Sequence, residues 1–127
     1  MPKHSSVQRV SGVIIWTDRL KELRNFYESL LKLKPHSIRE GFVSYKWNDF
    51  RFSIGSHSKV VGFSKDPYRT MINFDTEDIE HLSQKLIHHN IECLRTPETE
   101  HWGGIVATFK DPDGNIIQFL QQPENRK

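Results

Sequence analysis

Cysteine is almost missing from this chain: Cys93 is the one thiol among 127 residues. That excludes an intrachain disulfide framework and a cysteine-rich zinc site, and it suits a reducing compartment. Charge of one sign is equally scarce. Eighteen Lys and Arg against 16 Asp and Glu leave a formal net charge of +2, with no dense basic block, so nothing argues for nucleic acid. No apolar run approaches the length of a membrane span, and Met1-Pro2-Lys3-His4-Ser5-Ser6 lacks the apolar core of a signal peptide. The expectation is a cytoplasmic globular protein without nucleic-acid or membrane partners. With 35% apolar and 27% charged residues, it has room for one domain with a real core and too little for two ordinary ones. Both ends, Met1 to Ser6 and Pro123 to Lys127, are polar and expected to fray.

What is present is a pattern that occurs twice. Val13-Ile14-Ile15-Trp16 reads as a strand, after which Leu20, Leu23, Phe26, Tyr27, Leu30 and Leu31 recur at helical spacing. Asp18 is the expected N-cap, and Pro35 stops the helix. Phe42 to Trp47 and Phe50 to Ile54 are strands around an Asn48-Asp49 turn, and Gly55 to Pro67 is a connector. Thr70 to Phe74 is then a strand, and Ile79, Leu82, Leu86 and Ile87 mark a second amphipathic helix, acidic at its start and basic at its end. Ile91 to Leu94 is another short strand.

A hairpin closes the pattern. Ile105 to Phe109 and Ile116 to Leu120 flank Asp111-Pro112-Asp113-Gly114-Asn115. There Pro112 presets φ, Gly114 accepts φ > 0, and the Asp and Asn side chains close local hydrogen bonds. Setting Asp18 against Asp78 and Ser53 against Gln118 aligns the halves, which reads as duplication of a βαβββ module. One such module leaves a sheet face uncovered, so two are expected to pair around a shared concave surface.

Three stretches together resemble the vicinal oxygen chelate superfamily of glyoxalase I, extradiol dioxygenases, fosfomycin-modifying enzymes and bleomycin-resistance proteins. They are Asp18-Arg19-Leu20 followed by Phe26-Tyr27 and Leu30-Leu31-Lys32-Leu33, the duplicated βαβββ order, and Trp102-Gly103-Gly104 leading into Phe109 to Asn115. The resemblance implies an α+β fold, two tandem βαβββ modules forming a glyoxalase-like incomplete barrel around a shared cleft. It covers a single domain over residues 7–122, with module 1 at about 7–57 and module 2 at about 68–121. Metalloenzymes of this superfamily hold one divalent ion with His, Gln or Glu from strands of both modules. Carried over, those positions fall near Ser11, Ser53, Met71 and Gln118. A neutral amide, two hydroxyls and a thioether are poor ligands for a catalytic divalent ion. Neighbouring positions do not rescue the site: no His, Asp or Glu lies in 11–17, 50–55, 70–74 or 116–121. No metal and no cofactor are therefore expected, a divalent ion being the alternative.

The same strand positions can line a pocket without holding metal. The expected lining is Ser11 and Val13 from the first strand, Arg51 and Ser53, Met71 and Asn73, Gln118, and His101 with Trp102 from the loop before the last hairpin. Arg51 either holds an anionic ligand by a bidentate contact or snorkels to solvent at the sheet rim. Trp102 either stacks on a planar ligand or closes the core edge. His81, His88 and His89 read as a solvated helix face, and Cys93 as a small core residue rather than a nucleophile. Three functions follow. The leading one is a bleomycin-resistance-like protein that binds or sequesters a small molecule between its modules, as a homodimer. The alternatives are a metal-dependent lyase or dioxygenase with displaced ligands, drawing on Gln118, His57 or His101, and a non-catalytic dimeric interaction module.

Overall fold

The computed structural model describes residues 5–125. Module 1 contains β1 (Gly12–Thr17), α1 (Leu20–Arg24) continued by a π-helical turn (Asn25–Leu30), β2 (Pro35–Arg39), β3 (Phe42–Trp47) and β4 (Phe50–Ser56). After a 3-10 turn (Pro67–Arg69), module 2 repeats the order with β5 (Met71–Asp75), α2 (Ile79–His88), β6 (Cys93–Thr99), β7 (Ile105–Lys110) and β8 (Ile116–Gln121). The strands form two four-stranded sheets of matching order, β1-β4-β3-β2 and β5-β8-β7-β6. The first strand of each is parallel to the last, and the other pairs are antiparallel. The architecture is thus α+β, two βαβββ modules with mixed sheets and no closed barrel.

Strand alternation decides what each sheet buries. Val43, Tyr45, Phe52 and Ile54 from the first sheet join Phe109, Ile117 and Phe119 from the second. Leu23, Phe26 and Tyr27 from the first helical segment and Ile79 and Leu86 from α2 complete one buried cluster. Each of these large side chains contributes about 1.5–3 kcal/mol by leaving water. Phe74 on β5 bridges the modules, its ring centroid 5.6 Å from Phe52, 6.1 Å from Tyr27 and 6.1 Å from Phe119. The helix-covered faces of the two sheets therefore share a core. The opposite faces, bearing Ile14, Trp16 and Met71 among their residues, leave those side chains exposed.

The turn at Asp111–Asn115 also ties the modules together. Asp111 Oδ1 accepts from the Asp113 and Asn115 amides at 2.9 and 3.0 Å, and Oδ2 accepts from Asn115 Nδ2 at 2.9 Å. The buried Tyr27 hydroxyl donates to that same Oδ2 at 2.7 Å. Arg19 donates to Asp113 Oδ1 at 2.9 Å and also to the Pro112 carbonyl.

Several expectations need correction. Asp18 is not the cap of α1: that position belongs to Arg19, whose side chain makes no cap bond, and Asp18 Oδ2 accepts from the Gly62 amide at 3.0 Å. In module 2 the cap is Asp78, accepting from the His81 amide at 3.1 Å. Pro35 does more than end a helix, because it opens β2, an edge strand where its missing N–H is tolerated. Edge strand β6 runs through Pro97 for the same reason, with register shifts on either side of Arg95. Pro123–Asn125 forms a 3-10 turn rather than a frayed end. The parts of the end expectations that concern residues 1–4 and 126–127 lie outside the described residues.

Candidate functional site

A cleft of about 1130 Å³ opens between the modules. Module 1 supplies Val13, Leu31 to Lys34, Tyr45 to Trp47, Phe50 and Phe52. Module 2 supplies Met71 to Asp78, His81, Leu82, Lys85 and Phe119. Its walls are mostly apolar and aromatic, with Trp47 and Phe74 centroids 6.5 Å apart. Tyr45 is buried, and its hydroxyl donates to Glu28 Oε2 at 2.8 Å. Burial and the Glu28 charge push the Tyr45 pKa well up, so the phenol stays protonated. The cleft lining mixes these apolar and aromatic walls with lysines, carboxylates and Asn73.

Of the nine residues expected to line a pocket, the cleft brings together Val13, Met71 and Asn73. Val13 was expected on the same surface as Ser53. The register instead sets Val13 beside Phe52 and Ile14 beside Ser53, so Val13 packs on the core side and Ser53 looks the other way. Ser11 is exposed, and its carbonyl accepts from the Arg51 amide at 3.1 Å. Arg51 is exposed, on the face opposite Phe52. Gln118 sits beside Asn73 in the second sheet. His101 and Trp102 lie exposed in the loop before β7 and do not border the cleft, although the Trp102 ring covers Gly104 closely enough to exclude a Cβ there.

The register also corrects the internal alignment by one residue. Ile14 pairs with Ser53 as Asn73 pairs with Gln118, and Gly12 with Arg51 as Met71 with Ile116. The module 1 counterpart of Met71 is thus Gly12, not Ser11.

These positions do not fit a divalent ion. The Ser53 hydroxyl shares a 2.8 Å hydrogen bond with Ser44, and Gln118 Nε2 donates to Thr108 Oγ1 at 3.2 Å. Ser11 and Met71, the other two expected positions, offer a hydroxyl and a thioether, and none of the four side chains is charged. Among the described residues no group of three or more His, Cys, Asp or Glu is placed to hold a metal. His57 packs edge-on against Trp16 at 5.2 Å, and its Nδ1 accepts from the Lys59 amide at 3.1 Å. Cys93 packs against the core, and burial pushes its thiol pKa up, as a structural cysteine requires.

Reasoning from sequence missed the lysines of the cleft. Leu31-Lys32-Leu33-Lys34 alternates apolar and charged residues, and the apolar members are half-buried while the lysines are exposed. That period of two, directly after a helical pattern, was the available signal.

No curated protein matches the sequence. Among solved structures, a glyoxalase-related enzyme from Fulvimarina pelagi is similar at 18% identity and a TM-score of 0.76, covering 92% of this chain and 90% of that one. A glyoxalase/dioxygenase from Nostoc punctiforme is similar at 16% identity and a TM-score of 0.77, covering 95% and 99%. A glyoxalase/bleomycin resistance protein/dioxygenase family enzyme from Burkholderia phytofirmans PsJN is similar at 16% identity and a TM-score of 0.70, covering 87% and 96%. At such identities the likeness speaks for the fold, which is the duplicated βαβββ architecture seen here. The family profile reaches further, matching residues 9–119, and by it the chain belongs to the Glyoxalase/Bleomycin resistance protein/Dioxygenase superfamily.

Proposed function

We propose that this chain binds or sequesters a small molecule between its modules, in the manner of a bleomycin-resistance protein and without a divalent ion. The observation that carries this reading is the cleft itself, whose volume slightly exceeds the roughly 300–1,000 Å³ typical of ligand sites. The neutral side chains at the family's metal positions favour it over a metal-dependent lyase or dioxygenase. A free, half-buried thiol at Cys93 suits the reducing cytoplasm that we assign to the protein.

Trp47 makes the test direct, because it borders the cleft while Trp16 and Trp102 do not. In a variant carrying Trp16→Phe and Trp102→Phe, a bound compound should quench the remaining emission saturably and raise the melting temperature. Phe50→Ala should weaken that binding. Binding that leaves Trp47 unchanged and disappears in Arg51→Ala would move the ligand to the outward sheet face and overturn the cleft assignment.

A second reading, that two copies pair through their outward faces, is favoured by the exposure of Ile14 (49%) and Trp16 (39%). Sedimentation velocity should then give a dimer, with Trp16→Glu shifting it toward monomer. A monomer at all concentrations would contradict the pairing.

A further inference from the structure

The walls of the cleft are mostly apolar, and its rim carries lysines that make no ion pair among the described residues. Lys32 and Lys34 follow the π-helical turn, Lys46 lies near the end of β3, and Lys85 sits in the last turn of α2. None of these four ammonium groups has a carboxylate within 4.0 Å among the described residues. Buried or half-buried arginines elsewhere are treated differently, Arg24 pairing with Glu28 and Arg95 with Glu98 and Glu100. Of the acids on the cleft, Asp75 accepts from Gln122 Nε2 at 2.8 Å and Asp78 caps α2, while Glu77 is exposed.

Lys32 and Lys85 stand out within this set. Lys85 is half-buried, and burial together with the positive charge of Lys32 lowers its pKa, so the two ammonium groups share one field. Lys32 also holds φ at +63°, a left-handed conformation where the end of a helix ordinarily carries glycine. A long cationic side chain is thus kept at a strained position on the rim of a cavity.

We propose that the cleft takes an aromatic organic anion, a carboxylate or sulfonate, with its ring among Trp47, Phe50 and Phe74 and its charged group between Lys32 and Lys85. This assignment rests on the small-molecule reading above and adds to it the sign and shape of the ligand. The anion gives the two ammonium groups an ion-pair partner and relieves the repulsion between them, while the aromatic walls exclude water from its ring.

Two probes separate the claims: 8-anilinonaphthalene-1-sulfonate, and N-phenyl-1-naphthylamine, its counterpart without the sulfonate. Titrated into the intact protein and followed by their fluorescence, both should bind saturably, the anion about tenfold more tightly, the effect of one charge-assisted hydrogen bond. Added salt should weaken the anion alone. Combined Lys32→Gln and Lys85→Gln should abolish the tenfold preference and leave the neutral probe unchanged, which also reports that the cleft is intact. Equal affinity for the two probes, or an anion unaffected by the double variant, would overturn the anionic assignment while leaving cleft binding in place. Saturable binding of neither probe would overturn the cleft reading itself.

Discussion

Tyr27 and Asp111 stand 84 positions apart and meet at 2.7 Å in the core that joins the modules. Burial pushes the Tyr27 pKa well above its usual value, with the Asp111 charge adding to the effect, so the phenol remains a donor. Tyr27→Phe leaves Asp111 with its three donors from the turn and removes the fourth, which should cost about 2 kcal/mol in urea denaturation at neutral pH. A cost near zero would mean that the Tyr27 hydroxyl adds nothing to the tie between the modules, leaving apolar contact and the Arg19 bonds to Pro112 and Asp113. The Asp111–Asn115 turn was legible from its own residues, because Pro, Gly and Asx chemistry is local. Its partner Tyr27 was not, because only the folded topology brings them together.

Two carboxyl groups should act on stability with opposite signs. Burial alone would raise the Glu28 pKa, but hydrogen bonds from Arg24 Nε and Tyr45 Oη, each at 2.8 Å, outweigh it and hold the group below the usual value. Its folded pKa is lower than its unfolded one. Its stabilisation is therefore complete above the unfolded pKa and is lost as pH falls through the folded value. Asp111 is pushed up by burial despite its hydrogen bonds, so its contribution is complete below its unfolded pKa and is lost as pH rises through the folded value. Urea midpoints taken between roughly pH 3 and pH 7 should show less loss on acidification in Tyr45→Phe. In Asp111→Asn they should show less decline as pH rises. A parallel shift of the whole profile in either variant would contradict the assignment.

Elements with strong periodicity were legible: β1, β3, β4, β5, β7, β8 and both helices follow the alternation or helical spacing of their apolar residues. The edges were not. β2 and much of β6 are polar, contain proline and pair on one side only, so neither hydrophobic pattern nor propensity marks them. The cap of α1 was misread because an acidic residue one position early looked like the cap that Asp78 provides in α2. The loop before β7 tests local packing: Gly104 is buried beneath the Trp102 ring, which is itself 43% exposed. Gly104→Ala should displace that ring at a cost of about 1–3 kcal/mol and shift tryptophan emission to longer wavelength. Unchanged emission would show that the ring does not depend on this seat.

At the scale of the whole molecule, duplication was legible because each half repeats its own order of patterns. The cleft was not, because its walls come from the end of one helical segment, the start of the facing sheet and the side of α2, and their meeting depends on how the modules pack. The opposite sides of the first sheet that Val13 and Ser53 occupy are likewise decided by a one-residue register that two independently aligned halves do not reveal. The family's metal positions, carried over as Ser11, Ser53, Met71 and Gln118, are uncharged, and two of them are hydrogen-bonded within their own sheets, Ser53 to Ser44 and Gln118 to Thr108. Binding of a small molecule without a divalent ion, as proposed for this member of the superfamily, is open to direct test. The most direct measurement is metal content by elemental analysis after incubation with Ni²⁺, Zn²⁺, Mn²⁺ and Fe²⁺ and exhaustive desalting. No stoichiometric retention of any of them is expected; one tightly held ion per chain would contradict the proposal.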